Sequence, residues 1–170
     1  MLTNRALLTK WGLYALGFLL LVLVQQLVLD HLPALLGATP FLMPMLVAVV
    51  AALEGPTGGT IFGIAVGFLS DLAGGGVFSG VYTLSFFCVA LAVAVISKYW
   101  VMRNVFGSLI YALLAFAVID AVQILFLLAF RGAHIAVALE LAGREIAASI
   151  LFVIPIFFLY NFLHRLFRYE

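Results

Sequence analysis

Five side chains that can donate or accept hydrogen bonds stand out within long apolar stretches of this sequence: Gln25, Gln26, Asp71, Asp120 and Gln123. An ionisable or amide group at such a position is costly to bury in hydrocarbon and is a functional suspect by default. Three uses suit these groups. They can satisfy one another and tie helices together, each contact contributing about 0.6–2 kcal/mol. They can line a polar cavity that holds a ligand or a transported ion, or they can form part of a protein-docking surface. Their depths agree. Gln25 lies 14 residues beyond Trp11, Asp71 14 beyond Thr57 and Asp120 14 beyond Phe106, which at a rise of about 1.5 Å per residue puts all three roughly 21 Å from the same edge. No Lys or Arg falls within this layer. Arg131, His134 and Arg144 are the nearest cations, at the rim.

Other chemistry is hard to assemble. His31, His134 and His164 fall in loops or at helix ends, and none has a second His or a carboxylate at metal-ligand spacing. Ser70 beside Asp71 and Ser79 beside Gly80 have no His near them, and a serine in an apolar helix ordinarily bonds its own backbone. No phosphate-cradling GxxxxGK[ST] is present. The single cysteine, Cys88, sits in an apolar run and reads as packing. The expectation is a chain with no catalytic residues, no cofactor-binding residues and no metal site.

The elements that carry the polar layer follow from composition. Of the 170 residues, 67% are hydrophobic and 9% charged, and the mean hydropathy is +1.32. Soluble domains are nearer half apolar and a quarter charged, so a cytoplasmic enzyme, a nucleic-acid binder and a disordered scaffold are all excluded. A net charge of +1 gives no bias toward an acidic or basic partner. A bilayer core needs about 20 helical residues per crossing. The chain reads as an all-α, single six-helix transmembrane domain over residues 1–170, with spans at about 11–29, 39–53, 57–73, 80–97, 105–130 and 145–164. Pro40 and Pro44 open the second span, Glu54-Gly55-Pro56 ends it, and Gly74-Gly75-Gly76 follows the third. The stretch His134 to Ala142 reads as too short to cross. Arg5, Lys10, Lys98, Arg103, Arg165 and Arg168 then share one side, which the positive-inside rule makes cytoplasmic, with both termini on it.

In the third span Gly55, Gly59, Gly63 and Gly67 recur every fourth residue, with Asp71 next in the series. Small residues at this interval let another backbone approach closely. The expected use of the stripe is packing inside the monomer, with contact to a partner protein as the alternative.

A short second helix opened by prolines, then Gly67-Phe68-Leu69-Ser70-Asp71-Leu72, Gly80 before an aromatic-rich helix, and Asp120 in the fifth span together resemble the bacterial rod shape-determining protein MreD family. The resemblance covers the whole chain in length and span number, and its motifs concentrate between Gly55 and Leu84. The Gly74-Gly75-Gly76 run departs from the family's pattern. The resemblance implies a fold similar to the substrate-binding component of energy-coupling-factor transporters. It also implies a non-enzymatic adaptor of the cell-wall elongation complex in the bacterial inner membrane. The implied partners are a bitopic MreC-like protein, with MreB and the RodA–PBP2 synthase. The alternative expectation is a substrate-binding membrane subunit of a vitamin or other small-molecule transporter.

Overall fold

A computed structural model describes residues 4–31, 38–73, 80–99, 104–131 and 135–167. Among them the chain is helical, with no β-strand. The elements are α1 (Asn4–Leu27), α2 (Met43–Leu72), α3 (Val81–Tyr99), α4 (Val105–Arg131), α5 (Ile135–Ser149) and α6 (Val153–Leu166). A 3-10 turn, Leu29–His31, follows α1, and another, Ile150–Phe152, joins α5 to α6. Five helical segments are long and apolar enough to cross a membrane: Leu7–His31, Met43–Leu72, Val81–Lys98, Val105–Phe130 and Ile135–Leu166. This is the construction of a multi-pass membrane protein.

Several boundaries differ from the sequence reading. Residues 135–142, which look too short to cross, are the first half of α5 and continue through the 3-10 turn into α6. Glu140, which argues against a span there, is on the outside of the bundle and pairs along the helix with Arg144. The first helix also begins earlier than Trp11, at Asn4.

A further difference is at Gly55. Glu54-Gly55-Pro56 reads as the end of a helix, whereas 43–72 forms one element interrupted by Gly55 at φ 78°, ψ −170°. Residues eight apart in a straight helix are about 12 Å apart along the axis. Here a Cβ built on Gly59 would lie 2.6 Å from the Cα of Ala51, and one on Gly63 would lie 3.3 Å from Val47 Cγ1. The two arms therefore run antiparallel, folded on Gly55. A positive φ suits glycine, which has no Cβ to clash. Pro56 follows as the first residue of the second arm, where its missing N–H costs nothing.

The first arm, 43–54, is the centre of the molecule. Met45, Leu46, Val47, Ala48, Val50 and Ala51 have no exposed surface. A helix apolar all round is one buried on every side. The second arm and α3 pack on it, and α4 and α6 close the other sides.

The glycines explain how the arms come so close. A four-residue step turns about 40° past a full helical circle, so successive members of the stripe face successive neighbours. Gly59 meets the first arm at Ala51. Gly63 meets both the first arm and α3, where Ala90 Cβ and the Phe86 carbonyl would each lie 2.9 Å from an added Cβ. Gly67 faces α3 alone, 2.6 Å from Thr83 Cα. Gly55 makes no such contact and serves the turn. Pro33, Gly74-Gly75-Gly76, Ser79, Arg103, His134 and Arg168 lie outside the described residues, as does the side chain of Arg131.

Candidate functional site

The polar groups collect at the two ends of the bundle. At one end α1 and α6 bring Lys10, Tyr14 and His164 to Glu54, the last residue before the Gly55 turn. The Glu54 side chain is only 7% exposed. Its Oε2 accepts from Lys10 Nζ, and its Oε1 accepts from the Tyr14 hydroxyl at 2.6 Å. His164 Nδ1 lies 2.8 Å from the same Oε1, and a carboxylate can only accept, so Nδ1 carries the proton. Tyr14 stacks on Tyr160, centroids 5.3 Å apart, and the Tyr160 hydroxyl donates to the Tyr14 carbonyl at 3.2 Å. Trp11 and Tyr14 reach across to Phe62 in the second arm. This end is therefore sealed by an aromatic layer around one multiply bonded carboxylate.

In the sequence Glu54 marks only the end of the second span, beside Gly55-Pro56. Its partners are 44, 40 and 110 residues away. One signal was present: Lys10 and Glu54 flank the same ends of consecutive apolar runs, where a pair can form.

At the other end the five predicted polar residues do not form one mutual layer. Gln25 binds locally. Its Nε2 donates to Asp30 Oδ1 at 3.0 Å and to the Pro40 carbonyl at 2.7 Å, while its Oε1 accepts from the Leu42 N–H at 3.0 Å. It thus fixes the re-entry of the chain into α2. Gln26 places its carbonyl 2.9 Å from His31 Nδ1. Asp71 works as a cap on α3: Oδ1 accepts from the Tyr82 N–H at 3.2 Å, and Oδ2 accepts from the N–H and hydroxyl of Thr83 at 2.9 and 2.6 Å. The first N–H groups of a helix have no partner within it, and a carboxylate there also suits the helix dipole.

Gln123 and Asp120 are brought together with residues that the sequence reading did not single out, Tyr82 and Glu145. The Tyr82 side chain hydrogen-bonds to Gln123 and feels the charges of Glu145, Asp71 and Asp120. Asp120 and Glu145 lie within electrostatic reach of each other. Tyr82 is the shared neighbour that links the group. Its place directly after Gly80-Val81, at the start of the next helix, was the available clue. Ser149 was missed as well. Its hydroxyl accepts from the Phe41 N–H at 2.9 Å and donates to the Glu145 carbonyl at 2.7 Å, joining the base of α5 to the start of α2.

Between these groups lies a cavity of about 580 Å³. Its polar wall is Gln25, Gln26, Asp30, Ser70, Tyr82 and Glu145. Phe18, Val22, Phe41 and Met43 supply the apolar part. Asp71, Asp120 and Gln123 stand behind the wall and do not line it. Concave, mostly apolar spaces of 300–1,000 Å³ with a few converging polar groups are the usual form of small-molecule sites. Leu19 and Leu69, which also line it, are 57% and 46% exposed, so the cavity reaches the surface of the bundle. Comparison with protein-family models, with curated proteins and with solved structures gives no match to this chain.

Proposed function

We propose that this chain is a non-enzymatic integral membrane adaptor, similar to the MreD family, of the bacterial cell-wall elongation complex. In this reading it sits in the inner membrane and crosses it six times, the two arms of α2 counting separately. Both termini are cytoplasmic, so the Glu54 end faces the cytoplasm and the cavity faces outward. The first arm spans only about 18 Å, but it is buried in protein on every side and need not match the bilayer thickness.

The observation that carries the reading is the use made of the segment bearing the resemblance. Between Gly55 and Leu84 the glycines seat helices against one another and Asp71 caps α3. Those residues build a rigid frame, which is what a protein that holds partners at fixed positions requires. The partner surface is then the exposed apolar exterior, where Leu113 and Leu125 of α4 stand out, and the natural occupant is the single membrane helix of an MreC-like protein. MreB and the RodA–PBP2 synthase follow as further partners, with the basic ends Arg5 and Arg165 turned to anionic lipid or to a membrane-bound filament.

The test is photo-crosslinking in membranes that also contain the bitopic partner, with a photoreactive residue at Leu16, Leu113, Leu125 or Phe158. Crosslinks confined to one face of the bundle support the adaptor reading. A partner that neither crosslinks at any of these positions nor copurifies in detergent overturns it.

The cavity favours a second reading, a substrate-binding subunit of a small-molecule transporter. Its size and polar wall are those of a ligand site, and saturable binding of a small molecule there, lost on substitution of the wall, separates it from the adaptor.

A further inference from the structure

The cavity wall has a definite chemistry. Asp30 and Glu145 contribute two carboxylates, and no Lys or Arg lines the space among the described residues. Behind the wall Asp71 and Asp120 add negative charge around Tyr82. Asp71 is committed to the N-terminus of α3, and Asp30 accepts one bond from Gln25. Glu145 accepts no hydrogen bond through its carboxylate from any described residue and stands near Asp120. Glu145 is half-buried and its unbonded oxygens stay accessible; such a carboxylate in a largely apolar cavity is well placed to accept from a charged donor, whose hydrogen bond is stronger than a neutral one. Of the cations near this end, His31 is turned to the Gln26 carbonyl and Arg144 to Glu140, and His134 and the side chain of Arg131 lie outside the described residues.

The rest of the wall is apolar and aromatic. Phe41 and Tyr82 meet edge to face with centroids 5.9 Å apart, and Phe18 lies across from them on α1. Aromatic faces attract cations as well as apolar bodies. Leu19 and Leu69 of the lining are exposed apolar side chains, a surface that suits a molecule with an apolar body.

We infer that this cavity binds an amphipathic organic cation, a protonated amine on a compact apolar body, with the amine at Glu145 and Asp30 and the body against Phe18, Phe41 and Tyr82. The inference rests on the small-molecule reading and supplies its ligand class; the adaptor reading does not depend on it.

Three probes with one apolar body test it: 3,3-diphenylpropylamine, 3,3-diphenylpropan-1-ol and 3,3-diphenylpropionate, titrated onto the full chain in nanodiscs, with empty nanodiscs subtracted. The amine binds saturably and about tenfold tighter than the alcohol, and the carboxylate binds weakest. Glu145→Gln weakens the amine about fivefold or more and leaves the alcohol within about twofold. Asp30→Asn, at the exposed rim where folding is not at issue, shifts the amine in the same direction. If the alcohol or the carboxylate binds as tightly as the amine, or if neither substitution changes amine binding, the charge class is wrong while a ligand cavity stands. No saturable binding of any of the three to folded protein overturns both the inference and the small-molecule reading.

Discussion

Glu54 is the residue on which one end of the molecule depends. It is nearly out of solvent and joins three helical segments through Lys10, Tyr14 and His164. Removing one member of a buried pair leaves the other charge uncompensated, which costs about 3–5 kcal/mol. Glu54→Ala is expected to destabilise the folded protein by about that amount, read by thermal unfolding in detergent. Lys10→Met combined with Glu54→Gln restores part of the loss, because neither charge is then stranded; equal and additive losses would show that the pair is not coupled. Asp71 makes a different prediction because its work is capping. Asp71→Ala loses about 1–2 kcal/mol, whereas Asp71→Asn keeps an acceptor oxygen and loses less. If both substitutions cost the same, charge and not capping is what matters there. These roles were only half legible in the sequence. That Asp71 and Asp120 depart from plain hydrophobic packing could be read from their apolar flanks. That Asp71 serves the next helix, and that Glu54 is buried at all, depends on contacts brought together by the fold, which local pattern does not contain.

The α2 hairpin is the element that shapes the bundle, and its glycines are not interchangeable. A Cβ at Gly67 would fall 2.6 Å from Thr83 Cα and 2.8 Å from the Tyr82 carbonyl. Both are backbone atoms and cannot swing aside, so Gly67→Ala is expected to cost about 1–3 kcal/mol and to loosen α3. Gly12, on the exposed side of α1, has open space around its Cβ position. Gly12→Ala is expected to be neutral or to stabilise slightly, since glycine is the poorer helix former. Unfolding of the two variants side by side checks the pair; equal effects would mean that glycine acts through helix propensity alone. The four-residue spacing announced close packing, and the sequence showed it plainly. What it concealed was that the neighbour changes along the stripe, from the first arm to α3, because that follows from the fold-back at Gly55. The same limit explains α5. Glu140 and Arg144 read as a loop, yet one turn apart on an exposed helical face they satisfy each other.

The whole molecule is asymmetric from end to end. Lys10, Glu54 and His164 close one end with aromatic rings around them, while the Gln25 end opens into a cavity of about 580 Å³. Composition alone points to a multi-pass membrane protein, and the placing of Arg5, Lys10, Lys98, Arg103, Arg165 and Arg168 on one side sets the orientation that is proposed. Both readings of function depend on that orientation. An adaptor needs its basic ends in the cytoplasm, and a small-molecule site needs its cavity facing outward. Site-directed cysteine labelling in intact cells measures it most directly, with Cys88→Ser as the background and single cysteines at Thr39, on the cavity rim, and at Arg165, beyond the Glu54 cluster. A membrane-impermeant maleimide is predicted to label Thr39→Cys in intact cells and Arg165→Cys only after the membrane is opened. Labelling of Arg165→Cys from outside, with Thr39→Cys protected, would invert the molecule and contradict the account.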